Sequence, residues 1–161
     1  MGSISSSFQF LNFKIDRFEF SLADDLDLLL SRDQIPSDQW NFRIGILRPQ
    51  FFVENKTYVG GLSLEMKLPR EVGAGDKSPE ILLSVLAEIS GAFRCEEGKL
   101  SKEVEEKLVK NQIPAILMPY LRSAITGFLA SAGYGSVILP LINMHALIEA
   151  DMKNFEILIH E

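Results

Sequence analysis

Histidine, cysteine and clustered carboxylates are the groups that usually hold metals or move protons, and this chain has few of them at useful spacings. His145 and His160 are the only histidines, and neither has a neighbour at a metal-ligand interval such as HxxxH or CxxC. Glu149 follows His145 by four residues, a helical spacing that more often makes a surface pair than a site. The single cysteine, Cys95, precedes Glu96 and Glu97, whose charges would raise a thiol pKa and not lower it. Gly73-Ala74-Gly75-Asp76-Lys77-Ser78 has the right residue types for a phosphate loop at the wrong intervals, and Gly98-Lys99 is followed by Leu100. The acidic runs Asp24, Asp25, Asp27 and Glu103, Glu105, Glu106 read as solvated faces. The expectation is a chain with no catalytic residue, no metal ligand set, no cofactor and no nucleotide.

What the chain has in surplus is apolar surface. From Pro114 to Ala132 a helical period places Leu117, Leu121, Ala124 and Phe128 on one face, while Met118, Ile125 and Leu129 widen the stripe and Arg122 is the only charge. Burying Leu117, Leu121, Ile125, Phe128 and Leu129 would contribute roughly 1.5 to 3 kcal/mol each, together comparable to the ~5 to 15 kcal/mol net stability of a domain. Such a helix calls for cover on more than one side, and these five residues are the candidate interface with a second copy. The run falls short of the ~20 apolar residues of a membrane span and contains Pro119 and Arg122, so stable membrane insertion is not expected. Pro119 either opens the helix or kinks a longer one, and Gly133 is a natural left-handed stop. The segment that follows, Tyr134 to Ile142, has glycine and proline punctuation without polar loop composition. It is either packed on its own core or forms the apolar rim of a groove. The candidate groove lining is Trp40, Tyr134, Val137, Ile138, Leu139, Leu141 and Ile142.

The elements that must position these residues show in the hydrophobic period. Phe8-Gln9-Phe10 begins an alternation that slips phase to Phe13 and Ile15 and again to Phe18 and Phe20, which predicts one long strand with bulges near Leu11 and Arg17. Residues 21–39 read as a crossing connection. Trp40 opens a second strand through Phe42, Ile44 and Ile46, Pro49 interrupts it, and Phe51 to Val53 resumes it. Tyr58, Leu62, Leu64, Met66 and Leu68 share one face of a third strand, and Ile81, Leu83, Val85, Ala87, Ile89 and Phe93 one face of a fourth. Ser101 to Asn111 reads as a separate amphipathic helix capped by Ser101, His145 to Met152 as a short last helix, and Phe155 to Ile159 as a tail strand or extended segment. The fold class predicted is α+β: a four-stranded antiparallel sheet with C-terminal helices packed on one face.

Length and composition agree with one domain over residues 8–161 after a flexible leader at 1–7, since 161 residues suffice for a sizeable core. A net charge of -6 argues against a phosphate-backbone partner, so nucleic acid is not expected. With one cysteine there is no internal disulfide, and with no signal-peptide pattern the cytoplasm is the default location. Gly2 with Ser6 satisfies a loose myristoylation pattern that is set aside.

In its order of elements the chain resembles the bacterial protein-export chaperone family SecB. The residues that carry the likeness are Pro114, Ile116-Leu117, Pro119-Tyr120, Arg122, Ile125-Thr126, a glycine-containing break, then Leu139, Pro140 and Asn143, together with Phe8-Gln9-Phe10 and Trp40. The resemblance implies a cytoplasmic, ATP-independent holdase assembled as a dimer of dimers, with long helices meeting between sheets and unfolded polypeptides wrapped through grooves. Export members dock the translocase motor SecA through acidic positions on the sheet, and two of these correspond to Arg17 and Leu86 here, which leaves SecA as a partner open. Members dedicated to a specific partner such as an antitoxin are the nearest alternative. A hot-dog-like acyl thioesterase, which also wraps a sheet round an apolar helix, is the enzyme alternative.

Overall fold

A computed structural model describes residues 6–23, 40–69, 81–134, 139–151 and 155–161. Four long strands, β1 (Phe8–Leu22), β2 (Asn41–Phe52), β3 (Thr57–Pro69) and β4 (Ile81–Cys95), precede a long helix α1 (Lys102–Ser131), a short helix α2 (Met144–Asp151) and a final short strand β5 (Leu158–His160). The sheet runs β1-β4-β3-β2-β5. Its first four strands pair antiparallel and β5 joins β2 in parallel. The sheet is thus five-stranded and mixed, not four-stranded and antiparallel as the sequence suggested. The tail supplies the extra strand, with too few residues to announce its partner.

In that order β4 and β3 stand between β1 and β2. The crossing connection expected over residues 21–39 lies, from 24 onward, outside the described residues, as do 1–5 of the expected leader. Register shifts fall between Phe10 and Asn12 and between Ile15 and Arg17. Each bulge turns the strand by one residue and returns an aromatic to the inner face. Phe8, Phe10, Phe13, Phe18 and Phe20 consequently all meet rings of the core or of α1. Leu62, Leu64, Met66, Leu83, Val85, Ala87, Ile89 and Phe93 are fully buried from β3 and β4, as their alternation predicts. Ile81, expected with them, is exposed at the start of β4.

The two helices anticipated on either side of Asn111 are one. Ser101 caps it, its Oγ accepting the Val104 N–H at 3.4 Å, and the helix then runs 30 residues with Pro114 and Pro119 inside it. Each proline deletes one i to i−4 bond. Packing against the sheet outweighs that loss: Val109, Ile113, Leu117, Leu121, Ile125 and Leu129 are all completely buried. Steps of four residues advance about 400° around a helix, so this buried line drifts roughly 40° per step and winds about half-way round the rod. A twisted sheet wrapped over the helix matches such a line. The helix comes close to the sheet where Gly60 and Gly91 pair, since a Cβ there would stand 2.7 Å from Ile113 and from Leu117 respectively.

Candidate functional site

The end of α1 is fixed by its own backbone. Gly133 takes φ 93°, the left-handed conformation predicted for the stop. Its N–H reaches the Ala130 carbonyl at 3.1 Å while Tyr134 N–H reaches Leu129 at 2.7 Å, the paired bonds of a Schellman cap. Tyr134 is thereby turned into the core, where its ring lies 6.5 Å from Phe20. The chain beyond is held by Arg122, whose Nη1 and Nη2 donate to the carbonyls of Leu139 and Pro140 at 3.1 and 2.8 Å. One side chain therefore satisfies two carbonyls of an apolar segment that offers them little else. Asn143 then caps α2, its Oδ1 accepting the Ala146 N–H at 3.1 Å.

Among the described residues, those expected to line a groove do not share one surface. Trp40, Tyr134 and Leu139 are buried, and the Trp40 indole N–H finds no acceptor among the described residues. Ile142 is half-buried against the core, Leu141 is 94% exposed, and Val137 and Ile138 lie outside the described residues. The residues expected to meet a second copy divide as well. Leu117, Leu121, Ile125 and Leu129 are completely enclosed by the chain's own sheet, because the wound stripe follows the sheet's twist. Phe128 alone of the five keeps surface, at 38% exposure.

A different apolar surface lies along the seam between edge strand β1 and α1. Phe13 packs on Tyr120 with ring centroids 4.5 Å apart, and Phe10 joins Tyr120 at 5.4 Å. Further along, Phe128 receives Phe18 at 4.6 Å and Phe20 at 5.1 Å. These rings pack by edge and tilt as aromatic quadrupoles prefer. Yet Phe13, Ile15, Tyr120 and Phe128 remain between 37% and 39% exposed. The result is a half-wet aromatic lane that runs toward Tyr134 and the segment held by Arg122. The sequence placed Phe13 on the inner face but gave no sign that this face extends past its cover.

At the opposite edge of the sheet a cavity of about 550 Å³ lies between β2, the C-terminal residues and the first turns of α1. The Tyr58 hydroxyl donates to the Glu105 carboxylate at 2.5 Å. Burial, then that hydrogen bond, raises the phenol well above its ordinary value. Burial and the nearby Glu105 push the Cys95 thiol up to about 11, so it stays protonated at neutral pH, the reverse of what a thiolate nucleophile needs. His145 and Glu149 form an exposed pair at 3.3 Å. Among the described residues no group of three histidine, cysteine or carboxylate side chains is placed to hold a metal ion.

No family model and no curated protein sequence matches the chain. Among solved structures, a SecB-like chaperone of Mycobacterium tuberculosis, determined with a ChAD peptide from the HigA1 antitoxin, superposes with a TM-score of 0.59. The alignment has 10% identity and covers 84% of this chain and 91% of that one. A protein of unknown function from Streptococcus agalactiae reaches only 0.40 at 11% identity, over 83% of this chain and 97% of the other. The fold is therefore similar to that of a SecB-like chaperone, and at this identity the likeness concerns the fold alone.

Proposed function

We propose that this chain is an ATP-independent chaperone that holds non-native polypeptide. The observation that supports it is the half-exposed aromatic lane of Phe13, Ile15, Tyr120 and Phe128. Rings that are anchored at one edge and open at the other offer apolar contact at little entropic cost, without demanding one side-chain sequence from the ligand. Several such shallow contacts on one flexible client add through effective concentration. The reading gives the chain no reaction to catalyse, a cytoplasmic setting, and assembly as a dimer of dimers. A client range narrowed to one dedicated partner is the second reading, favoured by the fold neighbour's complex with an antitoxin peptide. Delivery to SecA is a weaker form, since Arg17 holds Glu19 in an ion pair at 2.6 Å where an acidic docking surface would want free carboxylates.

The test is suppression of aggregation of several chemically unfolded proteins at near-stoichiometric amounts, without nucleotide. Tyr120→Asp should weaken that suppression about tenfold, the effect of losing an aromatic anchor of about 1.4 kcal/mol. Failure of the unaltered chain with every client removes the reading. Protection of a single partner alone selects the dedicated form.

A further inference from the structure

Strand β5 is an unusual closing element for a sheet. It is three residues long and pairs in parallel, the weaker arrangement per residue, while Leu158 and Ile159 stay 40% and 58% exposed. It is held by contacts that any extended segment could make. The Val53 N–H donates to the His160 carbonyl at 3.0 Å, and the Arg48 Nε donates to the Glu156 carbonyl at 2.6 Å. The His160 ring adds side-chain contacts, stacking on Phe52 at 4.7 Å and meeting Gln50 at 2.9 Å. Phe155 and Ile157 pack on the core, and Ile157 and Ile159 line the 550 Å³ cavity beside Phe51, Val53 and Tyr58. The cavity is thus already furnished with an extended peptide that turns two alternate apolar residues, Ile157 and Ile159, into it and leaves Leu158 between them outside its lining.

We infer that the cleft between the β2 edge and the first turns of α1 is a strand-addition site for extended apolar polypeptide, and that residues 155–161 are its built-in, displaceable occupant. Main-chain pairing to β2 supplies affinity without sequence, and the pocket at alternate positions selects bulky apolar side chains. The tail is present at high effective concentration because it is tethered, so an incoming segment competes with it and apparent affinity falls by the fraction of time the edge is covered. Naming a client as the incoming segment rests on the chaperone reading. The occupancy of the edge by the tail does not.

The experiment uses the full chain and a fluorescent peptide with the sequence of Phe155–Glu161, read by anisotropy. His160→Pro removes the backbone N–H, the stack on Phe52 and the contact with Gln50, and should raise peptide affinity at least tenfold over the unaltered chain. Ile159→Asp in the chain, which puts a charge where the tail lines the cavity and leaves β2 unaltered, should move affinity the same way by less. A peptide carrying Ile157→Asp and Ile159→Asp should not bind. If His160→Pro retains its far-ultraviolet spectrum and binds the peptide no better than the unaltered chain, the inference is overturned. If that variant fails to fold, Ile159→Asp decides alone, and an unchanged affinity overturns it equally. Aggregation suppression measured in parallel separates the two ideas: peptide capture without client protection keeps the strand site and discards the chaperone reading, and the converse discards the strand site only.

Discussion

At the scale of single residues, the buried titratable groups bear on stability. Cys95 is raised from 9.0 to about 11, chiefly by burial and then by Glu105, and Tyr58 is raised from 10.0 by burial and its hydrogen bond to the same carboxylate. A folded-state pKa above the unfolded one means the folded chain favours the protonated form. That contribution is complete below the unfolded value and is lost as pH climbs toward the folded one. Stability should therefore be flat near neutrality, begin to fall above pH 9 and fall further above pH 10 as unfolded tyrosine ionises. Cys95→Ala should remove the first part of the decline and leave the second, measured as urea midpoints between pH 7 and 11. An unchanged slope between pH 9 and 10 would show that the thiol is not the group responsible. A raised Cys95 thiol was expected from the acids that follow it in sequence, but Glu96 and Glu97 pair with Lys99 and Lys56, and the rise comes from burial and Glu105. Its actual partner, Glu105, stands ten residues away on another element and left no local sign.

At the scale of elements, period-two alternation gave the inner faces of β3 and, apart from the exposed Ile81, of β4, and located both bulges of β1, because a pleated strand has only two faces and every slip shows. The long helix was harder. Its polar first third and two prolines look like a boundary, and only the continuous buried line from Val109 to Leu129 reveals one rod. That same line explains the apparent surplus of apolar residues: a stripe that winds with a twisted sheet looks, on an ideal helical projection, like a helix greasy all round. Trp40, Tyr134 and Leu139, expected at a groove, and Leu117, Leu121, Ile125 and Leu129, expected at an interface, are buried in the chain's own core for a related reason. Alternation reports which way a side chain points, whereas exposure depends on how far the covering layer reaches, as Phe13 and Tyr134 show from opposite sides. The winding stripe also makes a prediction. At Gly91 an added Cβ would lie 2.7 Å from Leu117 and 3.0 Å from Phe93, both completely buried, so neither can move into empty space. Gly91→Ala should cost about 1 to 3 kcal/mol by overpacking, read as a lowered denaturant midpoint. A neutral result would mean that α1 rides higher above the sheet than this register allows.

At the scale of the whole molecule, the question is which surface a second copy would cover. Leu121 is no longer the place to ask, because a charge there would be stranded inside one copy's own core and would unfold the chain before it could report on assembly. The face of α1 turned away from the sheet carries Ala115, Pro119, Ser123, Gly127 and Ala130, all exposed and all small. Two such faces could approach closely, with little side-chain entropy to lose. Gly127 separates assembly from folding, since a Cβ added there meets nothing within 4 Å in a single copy. Gly127→Arg should leave the monomer intact or raise its helix stability by somewhat under ~1 kcal/mol, while placing a bulky cation at the centre of any helix-to-helix contact. If copies associate through this face, light scattering over a range of concentrations should show the variant at a lower mass than the parent, with an unchanged or higher melting temperature. If the mass is the same for both, the helices do not meet, and one remaining route to a larger assembly is the edge of β1 and the aromatic lane beside it. In that case Phe13→Asp should lower the mass and client capture together, because one surface would be serving both.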